Sequence, residues 1–177
     1  MPIFYMISME SDMLCTELGR RRYQILIAFV PVTCAISGNC GVQVCSLTSK
    51  AIRHNTCLTK ATFYSWILSE LYVSVLLGIV VGIILGLLAY LTGEFDLLLG
   101  AAIFSSICTG IILAGLGGTL APLIFTFLFH RDSGRMGILL QTAIQDVVGT
   151  FTMLGLSYFI ITQFGESNID SNNLCAT

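Results

Sequence analysis

Four long apolar stretches, each bounded by charged residues, leave this chain few ways to fold. They run from about Tyr23 to Ile52, Phe63 to Leu91, Leu97 to Phe129 and Met136 to Phe164. An α-helix needs about 20 predominantly apolar residues to cross the ~30 Å hydrocarbon core of a bilayer. In lipid, every backbone N–H and C=O must find its partner inside the protein, so such stretches become helices. Composition agrees: 55% of residues are hydrophobic and 10% charged, with a mean hydropathy of +0.89. A soluble domain carries about a quarter charged residues. Too few polar side chains remain to coat a globule. The expected fold is an all-α, multi-pass integral membrane protein, a helical bundle of about four transmembrane spans embedded in a lipid bilayer.

Several function classes fall away. The eight basic residues are scattered over three segments without aromatic interleaving, so nucleic acid is not an expected partner. No nucleophile–base pair or catalytic metal cluster stands out, and an enzyme is not expected. The seven cysteines contain no C-x-x-C pair, and His54 and His130 lie in separate loops, so zinc spacing is absent. Cysteines inside apolar segments read as small hydrophobes. Basic residues follow the weakly apolar start rather than precede it, unlike a signal peptide. The domain reading is a polar leader over 1–22, one transmembrane domain over 23–165 and a polar tail over 166–177.

Within the first stretch, Ser37-Gly-Asn-Cys-Gly41 separates an opening piece of about 14 residues from a second piece, Val42 to Ile52. Neither crosses alone, so the expectation is one span interrupted at Gly38–Gly41, with Pro31 as a further kink point. The second stretch carries Gly78, Gly82 and Gly86 at four-residue spacing, a row that lets another helix approach closely. At about 1.5 Å per residue the third stretch would reach about 50 Å. Gly115, Gly117, Gly118 and Pro122 are expected to bend it or carry its end out of the membrane. The loops at 50–60 and 130–135 hold Lys50, Arg53, Lys60, Arg131 and Arg135, against Arg20, Arg21 and Arg22 on the other side. That count favours the first two loops as cytoplasmic.

Asp146 is the residue that points to chemistry, because it sits inside the last apolar stretch. A carboxylate at the centre of a spanning helix costs about 2.5–3.5 kcal/mol on insertion scales, and survives by facing water, a partner or a cation. Thr142, Asp146 and Thr150 lie at i, i+4 and i+8, one face of a helix, with Gln145 at its border and Gly149 leaving room beside it. Oxygen-rich, negatively charged faces suit hard divalent cations. The plainer alternative is a buried Asp paired with Asn39 or Gln43. Gly38-Asn39-Cys40-Gly41 with Gln43 is the second candidate, since interrupted helices at membrane depth line wet cavities in transporters. Glu70 is expected to reach the interface or pair with Lys60. Asp132, between Arg131 and Arg135, is either locally ion-paired or a metal-attracting mouth.

The run Val30-Pro-Val-Thr-Cys-Ala-Ile-Ser-Gly-Asn-Cys-Gly-Val-Gln43 resembles the V-P-V-x6-N-x-G-x-Q stretch of MgtE-type magnesium transporters. Asp132 and Asp146 keep the fourteen-residue offset of that family's D-P-A…D element. Glu70 with the Gly-rich span after it, and Gly118-Thr-Leu-Ala-Pro122, also match family positions. The resemblance covers about residues 24 to 163. It implies a magnesium pathway formed by a homodimer, or by a pairing with a paralogous half as in the tandem eukaryotic solute carriers. By the same resemblance Asp146 is the pore aspartate. Thr142 offers a backbone carbonyl to the ion, Gly38 and Asn39 belong to the stretch near the pore, and Asp132 marks the cytoplasmic end. Four positions depart from the pattern: Ser133 replaces Pro, Ile138-Leu139 replace Asn-Pro, and Val42 replaces a polar residue. Against the family's pattern, residues 1–22 are expected to form a polar leader in place of a further helix, and the gating domains of bacterial members are not expected. The function expected is transmembrane movement of Mg2+ as the transported ion. A sodium- or proton-coupled cation exchanger and a non-transporting assembly subunit are the alternatives.

Overall fold

The computed structural model describes residues 20–53, 60–128 and 133–164. They form four long helices: α1 (Arg20–Arg53), α2 (Lys60–Thr92), α3 (Leu97–Leu128) and α4 (Ser133–Phe164). All four are long and apolar enough to cross a membrane, through Arg21–Ile52, Tyr64–Thr92, Leu97–Ile124 and Leu140–Phe164. The all-α membrane bundle expected from composition is what forms.

The expected interruption of the first span is corrected. α1 is one unbroken α-helix of 34 residues that runs through Pro31, Gly38 and Gly41. A helical glycine costs about 1 kcal/mol relative to Ala. Leaving several backbone groups unpaired in lipid costs more, so the ladder stays closed. Gly41 serves packing instead. A Cβ there would fall 2.8 Å from the end of the Gln141 amide and 3.3 Å from the Ala114 carbonyl oxygen.

Successive helices run up and down, with α3 at the centre packed against the other three and α1 also packed against α4. The glycine row of α2 lies on α3 as its spacing predicts. Added Cβ atoms at Gly78 and Gly86 would meet the backbone oxygens of Cys108 at 3.3 Å and Gly100 at 3.1 Å. The Cys108 thiol donates to the Gly78 carbonyl at 3.1 Å. Leu26, Leu99, Ile103, Ile107, Ile111 and Met153 fill the core. The described cysteines at 34, 40, 45 and 108 are free.

The start of α1 and the α2–α3 turn meet at one end of the bundle. Arg21 pairs with Glu94, and Arg22 Nε donates to Asp96 Oδ2 at 2.7 Å. The other Asp96 oxygen accepts from the backbone N–H groups of Leu98 and Leu99 at 3.1 and 3.3 Å, capping α3. Glu94 and Phe95 occupy left-handed backbone, φ 56° and 67°. The turn is held in this sparsely populated conformation by Phe95 N–H donating to the Tyr90 carbonyl at 3.0 Å and by the Tyr90–Phe95 edge-to-face contact at 5.3 Å.

Candidate functional site: a polar stripe on α1 and α4

Asp146 is exposed on α4, turned away from the bundle, and Thr142 is exposed one turn before it. The carboxylate has no ion pair among the described residues, whose two salt bridges both lie at the α2–α3 turn. The third member of the predicted face rotates inward. Thr150 is half-buried, its hydroxyl donating to the Asp146 carbonyl at 2.7 Å. It lies 3.5 Å from Cys34 Sγ, and that sulfur is 3.7 Å from the same carbonyl oxygen. Successive positions four apart drift round a helix of 3.6 residues per turn, enough here to carry Thr150 from the open face into the α1–α4 seam.

The room that Gly149 leaves is taken by α1. A Cβ at Gly149 would fall 3.3 Å from Cys34 Sγ and 3.5 Å from Ser37 Oγ. Thr33 approaches Met153 Sδ at 3.8 Å, while Gly41 lies over Gln141. These contacts run antiparallel and set the register: Asn39, between Ser37 and Gly41, falls at the level of Gln145 and Asp146. Asn39 is exposed, as is Gln43 one turn on. Gly38 is buried, yet a Cβ added to it would meet nothing within 4 Å, so open space adjoins α1 at this depth. Asp132 lies outside the described residues.

Gln141 and Gln145, by contrast, are each only 2% exposed and point at α3. The Gln145 amide donates to the Gly110 carbonyl at 3.2 Å. Gln141, with its amide oriented to satisfy both ends, donates to the Gly117 carbonyl at 3.2 Å and accepts from the Gly118 N–H at 3.3 Å. By sequence Gln145 borders the stripe Thr142-Asp146-Thr150, and Gln141 has no assigned role there. Both recur four residues apart, one position ahead of Thr142 and Asp146, and that repeat was the available signal. Glu70 is half-buried on α2. Its neighbour Trp66 donates its indole N–H to Thr48 of α1 at 3.3 Å, and the side chain of Lys60, its expected partner, lies outside the described residues. Among the described residues no three His, Cys, Asp or Glu side chains gather as a metal-binding group.

Four helices of spanning length and apolar composition, one of them carrying a carboxylate on an outward face, define a multi-pass integral membrane protein. A family model described as MgtE, divalent cation transporter, matches residues 30–156, well over half of the chain. This chain is a member of the MgtE family of divalent cation transporters. No curated protein matches it, and neither does any solved structure.

Proposed function

We propose that two copies of this domain, or this chain and a paralogous half, bring their α1–α4 faces together and conduct magnesium between them. The observation that carries this reading is the outward-facing Asp146 within the span Leu140–Phe164. A lone carboxylate facing hydrocarbon is unfavourable by about 2.5–3.5 kcal/mol on insertion scales. A second copy placed over it, with a wet pathway between, removes that penalty and sets two carboxylates around one axis. Magnesium sheds its water reluctantly and keeps much of its hydration shell when bound. A wide pathway with one carboxylate per subunit suits it better than a tight cage of protein ligands. In this arrangement Asp146 supplies the negative charge, Thr142 and Asn39 orient water or a backbone carbonyl, and the space beside Gly38 leaves room for a hydrated ion. Asp132 is assigned to the cytoplasmic mouth.

The test is magnesium flux into proteoliposomes containing the purified chain. Asp146→Asn keeps the shape and removes the charge, and is expected to bring uptake to the protein-free background while the helical content stays intact. Unchanged uptake by the variant sinks the assignment. A sodium requirement or a steep pH dependence in the same assay assigns coupled exchange instead. Cysteine cross-linking between copies along residues 142–150 reads whether two such faces meet.

A further inference from the structure

Nothing in a bilayer's hydrophobic effect sets the rotation of α4 about its own axis. Lipid tails are as apolar as Leu, so an apolar helix face gains little by turning inward. α4 shows Ile144, Val147, Phe151 and Phe159 to the outside, each at least 47% exposed. Turning the helix by about 100°, one residue's worth, would bring Asp146 to where Gln145 now lies. Some other interaction holds the orientation observed.

Gln141 and Gln145 are placed to do so. Their amides bond to the backbone of α3 at Gly117, Gly118 and Gly110. A helix backbone, unlike a side chain, has no rotamer by which to follow a moving partner. The glycines let the amide lie directly against that backbone, since a Cβ at Gly117 would fall 3.0 Å from the end of the Gln141 amide. A Cβ added to Gly41 of α1 would fall 2.8 Å from the same amide, so α1 passes over Gln141 where it has no side chain. We infer that Gln141 and Gln145 are positioning residues. They fix the rotation of α4 and its seat against α1, and thereby aim Thr142 and Asp146 outward, at the level of Asn39. The consequence for transport rests on the reading of Asp146 given above.

The experiment has one readout that needs no transport. Gln141→Met and Gln145→Met keep side-chain length and volume while removing the amide. Each is made separately in the full chain, so that one folded variant suffices. Oxidative linkage of the native Cys34 to a cysteine placed at 150 or at 151 is read by mass spectrometry. With both amides present, position 150 links and position 151, on the open face, does not. Losing one interhelical amide bond is expected to reduce that preference about three- to thirtyfold. Gln145→Glu is the conservative check: protonated at acid pH it donates to Gly110 and restores the preference, and ionised it does not. The second readout is magnesium flux, in which KM is expected to rise several-fold, whereas loss of folded protein would lower only the maximal rate. An unchanged linkage preference overturns the inference, as does a reduced preference with unaltered KM. A native chain that moves no magnesium sinks the transport reading, and the linkage ratio still decides whether the glutamines hold the register.

Discussion

α2 and α4 are equally peripheral, with 22% of each apolar window buried, against 50% for α3. Their outward faces differ. α2 presents Val73, Leu76, Val80, Ile83, Ile84, Leu87 and Leu91, an unbroken aliphatic surface. α4 presents Val147 and Phe151 too, but interrupts them with Thr142 and Asp146. The first is what lipid requires of a helix. The second is a face that lipid alone does not satisfy, and equal exposure therefore does not mean equal surroundings.

Making α4 like α2 is expected to have the largest effect. Asp146→Leu removes both charge and polarity, and magnesium flux in proteoliposomes is expected to fall to background while the protein inserts normally. Normal flux would dissolve the distinction between the two faces. The reverse exchange, Val80→Asp, puts a carboxylate where lipid lies and is expected to cost about 2.5–3.5 kcal/mol of insertion free energy. A glycosylation-mapping insertion assay reads that loss, and full insertion would show that the α2 face is not lipid-facing.

Packing changes behind the faces come next. Gly86→Ala places a methyl 3.0 Å from Phe104 Cβ and 3.1 Å from the Gly100 carbonyl, where backbone must yield. Thermal unfolding in detergent is expected to show a loss of about 1–3 kcal/mol. Gly38→Ala is the smallest in stability terms, because its methyl meets nothing within 4 Å. Unfolding is expected to change by at most about 1 kcal/mol, toward greater stability, as Ala favours helix over Gly. Flux in the same variant is expected to drop, since the methyl enters the space assigned to the hydrated ion. Unaltered flux would remove Gly38 from the pathway and leave Asn39 as the α1 contribution.

Much of the architecture was legible beforehand. The helices came from apolar stretches of spanning length, and a close helix approach on α2 from the spacing of Gly78, Gly82 and Gly86, though not that α3 is the partner. The misreading of Gly38–Gly41 has a physical cause. A glycine pair marks both a broken helix and a close helix crossing, and the difference lies in what stands opposite. Here it is the Ala114 carbonyl and the Gln141 amide, contributed by helices more than 70 residues away in the chain. Of the stripe Thr142-Asp146-Thr150, the first two members are exposed and the third is half-buried in the seam. The drift of four-residue steps round the helix is local to α4, but that the face it reaches is occupied by Cys34 of α1 is not.

Hydrophobic length and the high energy of unpaired backbone groups in lipid are local properties, so the chain's own order of residues determined four helices and put a carboxylate inside one of them. Which way that carboxylate points is not local. Rotation about a helix axis changes little in apolar burial when the surroundings are themselves apolar. It is decided by directional contacts with other helices: two amides on the α3 backbone, a thiol beside Thr150, and a glycine that lets α1 close over the junction.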